Sequence, residues 1–175
     1  PYSNDMGRKN IPLPLLRDDK VIEAPVAQSP VTRRYTDEAV KFIKANREKP
    51  FFLYLPHTSV HLPLFPGEYF KGKSANGKYG DWIEEVDACT GIILQTLKDE
   101  KLDQNTLVIF TSDNGSNGGR GGSNAPLKGA KGSTHEGGMR VACVMRWPDK
   151  IPANSTCSEV ASTLDILPTF AALAG

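Results

Sequence analysis

Residues 106–115 read TLVIFTSDNG. A run of β-branched, leucyl and aromatic residues stops abruptly at a carboxylate, a carboxamide and a glycine. An apolar run of this length predicts a buried strand over 106–112, with polar side chains delivered at its C-terminal end. VACVMRW (141–147) and FFLYL (51–55) predict two more strands. Between them, residues 81–100 place Ile83, Val86, Thr90, Ile93, Leu94 and Leu97 at helical spacing opposite a charged face, which predicts the longest helix. An earlier helix is expected from Thr36 to Lys49, with Thr36 as N-cap, Asp37 and Glu38 in the first turn, and Pro50 as its stop. A last helix should run from an Asp165 cap to Ala174, with Pro168 tolerated in its first turn. Residues 1–30 read as mostly irregular, apart from a strand at 19–23.

The order helix, strand, helix, strand, strand, helix predicts an α/β fold, a largely parallel sheet with helices on both faces. Ligands of such sheets gather at the C-terminal ends of the strands. Two of the expected strands end in loops with chemistry: FFLYL leads into PHTSVHLP, and TLVIFT leads into SDNG.

The whole chain has 175 residues with 21 Lys+Arg against 20 Asp+Glu, a formal net charge of +1. That balance argues against a nucleic-acid partner held by many phosphate contacts. No apolar run of about 18 residues is present to span a membrane. The 16 glycines and 13 prolines concentrate in residues 50–80 and 115–152, so long ordered loops join the regular elements. Cys89, Cys143 and Cys157 include no C-x-x-C pair, against a zinc site or a disulfide framework.

Asp113 and Asn114 offer two oxygen ligands to a hard cation such as Ca²⁺, although Asp-Asn-Gly is also good turn chemistry. Since Ca²⁺ takes about 6–8 oxygens, the two cannot make a tight site alone. Lys131, between glycines in GAKGSTHEGG, is a point charge for an anionic oxyacid or a solvated loop lysine. The P-loop spacing is missing there. His61 is placed to protonate a leaving group near neutral pH. His57 lies four residues before it, but Pro56 and Pro63 forbid the helix a metal pair would need. His135, beside Glu136, lines a substrate pocket or the surface. No G-x-S-x-G elbow supports a serine hydrolase.

Taken in order, PFFLYLPHTSVHLPL, TLVIFTSDNG, LKGAKGSTHEGGMRV and STLDILPTFAALAG resemble the second half of the catalytic domain of type I sulfatases. These belong to the alkaline-phosphatase-like superfamily, and the arylsulfatase branch is the most similar. The resemblance implies that Asp113 and Asn114 bind a divalent cation, Ca²⁺ or Mg²⁺. It also implies that Lys131 contacts the sulfate and that His61 binds sulfate and assists departure of the alcohol; His135 stays a candidate substrate-binding residue on its local sequence alone. Family members attack sulfur with a formylglycine made from the Cys of C-x-P-S-R, a context none of the three cysteines has. Residues 1–175 are thus expected to be the central to C-terminal portion of the catalytic domain, without the nucleophile portion or the small C-terminal subdomain. The parent would be a sulfuric ester hydrolase acting on a sulfated small molecule or polysaccharide, and the 175 residues alone inactive. The family's habit implies an extracytoplasmic compartment: periplasmic, secreted or lysosomal. Two other readings stay open, a phosphodiesterase or phosphoryl-transfer relative of the same fold and a non-catalytic binding module.

Overall fold

A computed structural model describes residues 12–119 and 121–175. The chain opens with a hairpin of β1 (Leu15–Arg17) and β2 (Lys20–Glu23), turned at Asp18, whose φ is +55°. Only the second of these strands was expected. Arg17 reaches Glu38 at 2.8 Å and Arg34 pairs with Glu23, so the hairpin is pinned to the helix that follows.

That helix, α1 (Val31–Ala45), begins five residues before the expected cap and ends at Asn46, ahead of Pro50. Thr36 is not a cap. It is wholly buried mid-helix and its hydroxyl donates to the Thr32 carbonyl at 2.9 Å. A threonine can enter a core this way because the preceding turn satisfies its hydroxyl.

The longest helix, α2 (Gly77–Asp99), lies where the periodicity placed it and packs on α1. Its buried face carries Trp82, Glu85, Val86, Cys89, Thr96 and Leu97, whereas Ile83 is 44% exposed. The packed face is therefore rotated from the purely apolar stripe and admits polar groups that find partners. Trp82 Nε1 donates to Thr32 Oγ1 at 2.9 Å, and Thr32 Oγ1 shares a hydrogen bond with Ser59 Oγ at 2.8 Å. With Val31, Ala39 and Ile43 these residues form the core.

Two carboxylates at the head of α2 hold the loop in front of it. Asp81 accepts the backbone N–H groups of Gly72, Lys73 and Ser74 at 2.8, 3.1 and 2.8 Å. Those donors, Ser74 and Gly72 foremost, hold its carboxyl below the usual range. Glu85 accepts from Gly67 N–H at 2.7 Å, but burial outweighs that bond and pushes its carboxyl up. The folded state thus binds the Glu85 proton more tightly than the unfolded chain does. Stability from this group is complete below the unfolded pKa and lost as pH rises through the folded one. Glu85→Gln should therefore gain thermal stability relative to wild type as pH is raised from 5 to 8, read from paired melting curves. A constant difference across that range would mean Glu85 does not titrate there.

Beyond α2, β3 (Val108–Thr111) ends at the Ser112-Asp113-Asn114 corner and pairs antiparallel with β4 (Cys143–Arg146), Val108 opposite Arg146 and Thr111 opposite Cys143. Between them lies a short helix, α3 (Glu136–Met139). The mixed helix–strand composition is as expected, but both pairings among the described residues, β1–β2 and β3–β4, are antiparallel. FFLYL joins neither sheet. Phe52 and Tyr54 are 68% and 75% exposed, alternating with half-buried Phe51, Leu53 and Leu55, because no described strand lies alongside to pair it. Phe51 instead meets Phe42 of α1 edge-on, at 5.8 Å between ring centroids. The last helix, α4 (Ile166–Ala174), follows a 3-10 turn, Thr163–Asp165, that Ser162 and Asp165 close in a reciprocal capping box; Asp165 holds the N-cap position of α4 but makes no side-chain capping bond to it.

Candidate active site

Asp113 and Asn114 leave the end of β3 into a glycine-rich knot. Gly115 N–H donates to Gly138 O at 3.0 Å, Gly137 N–H to Lys128 O at 2.8 Å, and Lys131 N–H to Ser116 O at 2.9 Å. Asn124 stitches both sides: its Oδ1 accepts Ser116 N–H at 2.8 Å, and its Nδ2 donates to Ser116 O at 2.7 Å. The strand end bearing Asp113 and Asn114 and the loop bearing Lys131 are therefore one body.

Glycine is required here by contact between backbones. A Cβ on Gly115 would collide with the Gly137 carbonyl, and one on Gly138 with those of Ser133 and Ala130. Two glycines, Gly129 and Gly132, flank the Ala130-Lys131 pair. Of the two glycines, Gly132 (φ +87°) faces open space, whereas Gly129 (φ +91°) packs on His135. Asn124 went unnoticed, since only the paired backbones show what its amide bridges.

Lys131 and Asp113 are exposed and make no ion pair with the described residues. His135 is exposed at the start of α3, its carbonyl accepting Gly138 N–H at 2.8 Å. His61 stands apart from this knot: no hydrogen bond among the described residues joins the two. It lines a small crevice with Thr58, Phe65 and Trp82. Its Nδ1 lies 2.7 Å from the Leu62 carbonyl. A carbonyl can only accept, so Nδ1 carries a proton and Nε2 faces outward for chemistry. His57 is half-buried, and burial pushes its imidazole pKa down.

The oxygens of Asp113 and Asn114 fit a hard cation in kind but are too few to enclose one, and the described residues hold no cluster of three or more His, Cys, Asp or Glu. Calorimetric titration of the 175-residue chain with Ca²⁺ should accordingly show at most weak binding. A micromolar site would mean that the ligands lie elsewhere.

A strand-end acid–amide pair is thus tied by backbone contacts to a lysine loop, and His61 stands on a separate loop. The sequence profile described as Sulfatase matches residues 4–175, and the chain belongs to that family. It is 43% identical over 169 residues to human (Homo sapiens) steryl-sulfatase, covering 92% of this chain and 29% of that protein. It is 38% identical over 190 residues to dog (Canis lupus familiaris) N-acetylgalactosamine-6-sulfatase, covering 100% and 36%. Among solved structures it matches Ps i-CgsB in complex with k-i-k-neocarrahexaose, with a TM-score of 0.79 and 38% identity over 92% of this chain and 37% of that one. The chain thus spans about a third of the length of these relatives. The expected alkaline-phosphatase-like α/β fold and the sulfatase resemblance are both borne out.

Proposed function

We propose that the protein carrying this chain hydrolyses a sulfate monoester, and that residues 113–138 form half of its site. The observation that supports this reading is the backbone interlock that ties the Lys131 loop, through Ser116, to the strand end carrying Asp113 and Asn114. Asp113 and Asn114 would hold part of a divalent cation, Ca²⁺ or Mg²⁺, which supplies positive charge for the sulfate oxygens. Lys131 meets the remaining charge; one such pair at about 4 Å is worth roughly 4 kcal/mol at an effective dielectric of ~20, before desolvation. His61, with Nδ1–H spent on Leu62 O, keeps Nε2 to pass a proton to the alcohol oxygen as the S–O bond breaks. His135 faces the alcohol portion of the substrate from the neighbouring exposed turn.

The nucleophile, a formylglycine, belongs to a segment outside these 175 residues, because Cys89-Thr90, Cys143-Val144 and Cys157-Ser158 all lack the C-x-P-S-R context. On this reading residues 1–175 are the central to C-terminal portion of the catalytic domain and are inactive alone. Substrates are sulfated small molecules or sulfated polysaccharides, and the compartment is extracytoplasmic. Among the described residues no helix is long and apolar enough to cross a membrane.

Assay of the full-length natural protein on 4-nitrophenyl sulfate and on a bis(4-nitrophenyl) phosphodiester tests the proposal. Preferential turnover of the sulfate is expected. Faster phosphodiester cleavage would favour the phosphoryl-transfer alternative, and no turnover of either the binding module.

A further inference from the structure

The segment 67–79, a loop that leads into the first turn of α2, has no part in the proposed chemistry. It carries Lys71, Lys73 and Lys78 against a single acid, Glu68. The lysine-bearing stretch 113–135 likewise holds three basic residues against Asp113, in a chain whose whole net charge is only +1. Positive charge is therefore concentrated on these two segments, and the remainder is net negative.

The segments touch. Asn76 Nδ2 donates to Gly121 O at 2.8 Å, and Tyr79 packs so closely under Gly121 that a Cβ there would lie 2.7 Å from its own Cβ. Gly122 in turn abuts Ser116, whose carbonyl accepts Lys131 N–H at 2.9 Å. The lysine loop is also held in shape: Asp81 takes the N–H groups of Gly72, Lys73 and Ser74. At its outer edge Tyr69 is 74% exposed, with Lys73 Nζ 3.0 Å from the ring centroid.

From this geometry we infer a second anion subsite, formed by Lys71, Lys73 and Lys78 with the Tyr69 ring, for a further sulfate group on the same substrate chain. The inference rests on the sulfate-ester reading above and narrows it to a sulfated polysaccharide. A small aryl or steroid sulfate carries one anion, which Lys131 meets, and offers nothing to three more lysines on the adjoining loop and first turn of α2. A sterol would need apolar surface where this loop presents ammonium groups. A sugar chain supplies both features, since repeated sulfates face the lysines and a C–H face stacks on the side of the exposed Tyr69 ring that Lys73 does not cover. Lys71 also pairs with Glu68, so a sulfate replaces a carboxylate partner there rather than meeting a bare charge.

The test uses the full-length enzyme and its K71Q/K73Q/K78Q variant, with melting curves to confirm folding. Binding of a sulfated hexasaccharide should weaken about tenfold or more in the variant, as expected for three exposed pairings lost together. The wild-type affinity should fall with added NaCl more steeply than the variant's. In turnover, kcat/KM on the hexasaccharide should drop about tenfold more than on a monosulfated monosaccharide, chiefly through KM. Equal losses on the two substrates, or unchanged hexasaccharide binding, would overturn the subsite. So would equally tight binding of a single-stranded DNA of matched charge, which would reveal mere polyanion attraction. Because binding is read without turnover, an enzyme that cleaves no sulfate ester but shows the lysine-dependent binding would sink only the hydrolase reading.

Discussion

Replacing His61 by alanine in the full-length enzyme is expected to lower kcat by about 10²–10⁴-fold, the range of a lost general acid. The loss should be greatest for sugar sulfates, whose alcohols leave poorly without a proton. It should shrink for 4-nitrophenyl sulfate, whose leaving oxygen bears its charge unaided. Lys131→Ala makes the contrast. On the proposed reading its charge meets the sulfate before and during S–O cleavage, so KM should rise while kcat falls. Steady-state kinetics of both variants on both substrate types separates the roles. Equal His61→Ala losses on the two would leave that residue a sulfate-positioning group only.

The second large effect belongs to the core. Trp82 is 3% exposed, fills the junction of α1 and α2, and forms one wall of the crevice that holds His61. Trp82→Ala should cost about 3–5 kcal/mol of stability through the cavity it leaves. It should also orphan the Thr32 and Ser59 hydroxyl pair from its indole donor. Trp82→Phe keeps most of the volume and loses the Nε1–H bond, so about 1 kcal/mol is expected. Denaturant unfolding of the two variants measures the difference. Similar small losses in both would mean that the crevice collapses around the gap.

Where local pattern and packing agree, the elements could be read directly. The α2 periodicity and the apolar runs of β3 and β4 are cases. Thr36 shows the opposite: a threonine before two acids has every local mark of a cap, and only the neighbouring α2 reveals that its side of the helix is core. FFLYL has strand composition, but a strand also needs a partner at hydrogen-bonding distance, which composition cannot supply. Parallel or antiparallel pairing of β3 is likewise set by β4's return path through the glycine knot. In the candidate site, the residue types were legible because a carboxylate beside a carboxamide, or a lysine between glycines, is informative by chemistry alone. Their mutual placement was not. It depends on Gly115 meeting Gly138 and on the amide of Asn124, contacts that span 8 to 23 positions.

That interlock has a mechanical consequence. Most sites position charged groups through side-chain rotamers, each of which wanders thermally. Here main-chain hydrogen bonds and touching glycines tie the backbone that carries Asp113 to the backbone that carries Lys131. These contacts act as a bracket between the strand end and the lysine loop. A methyl group added at Gly115, Gly137 or Gly138 would shift both ends of the bracket at once, although none of the three bears a functional group.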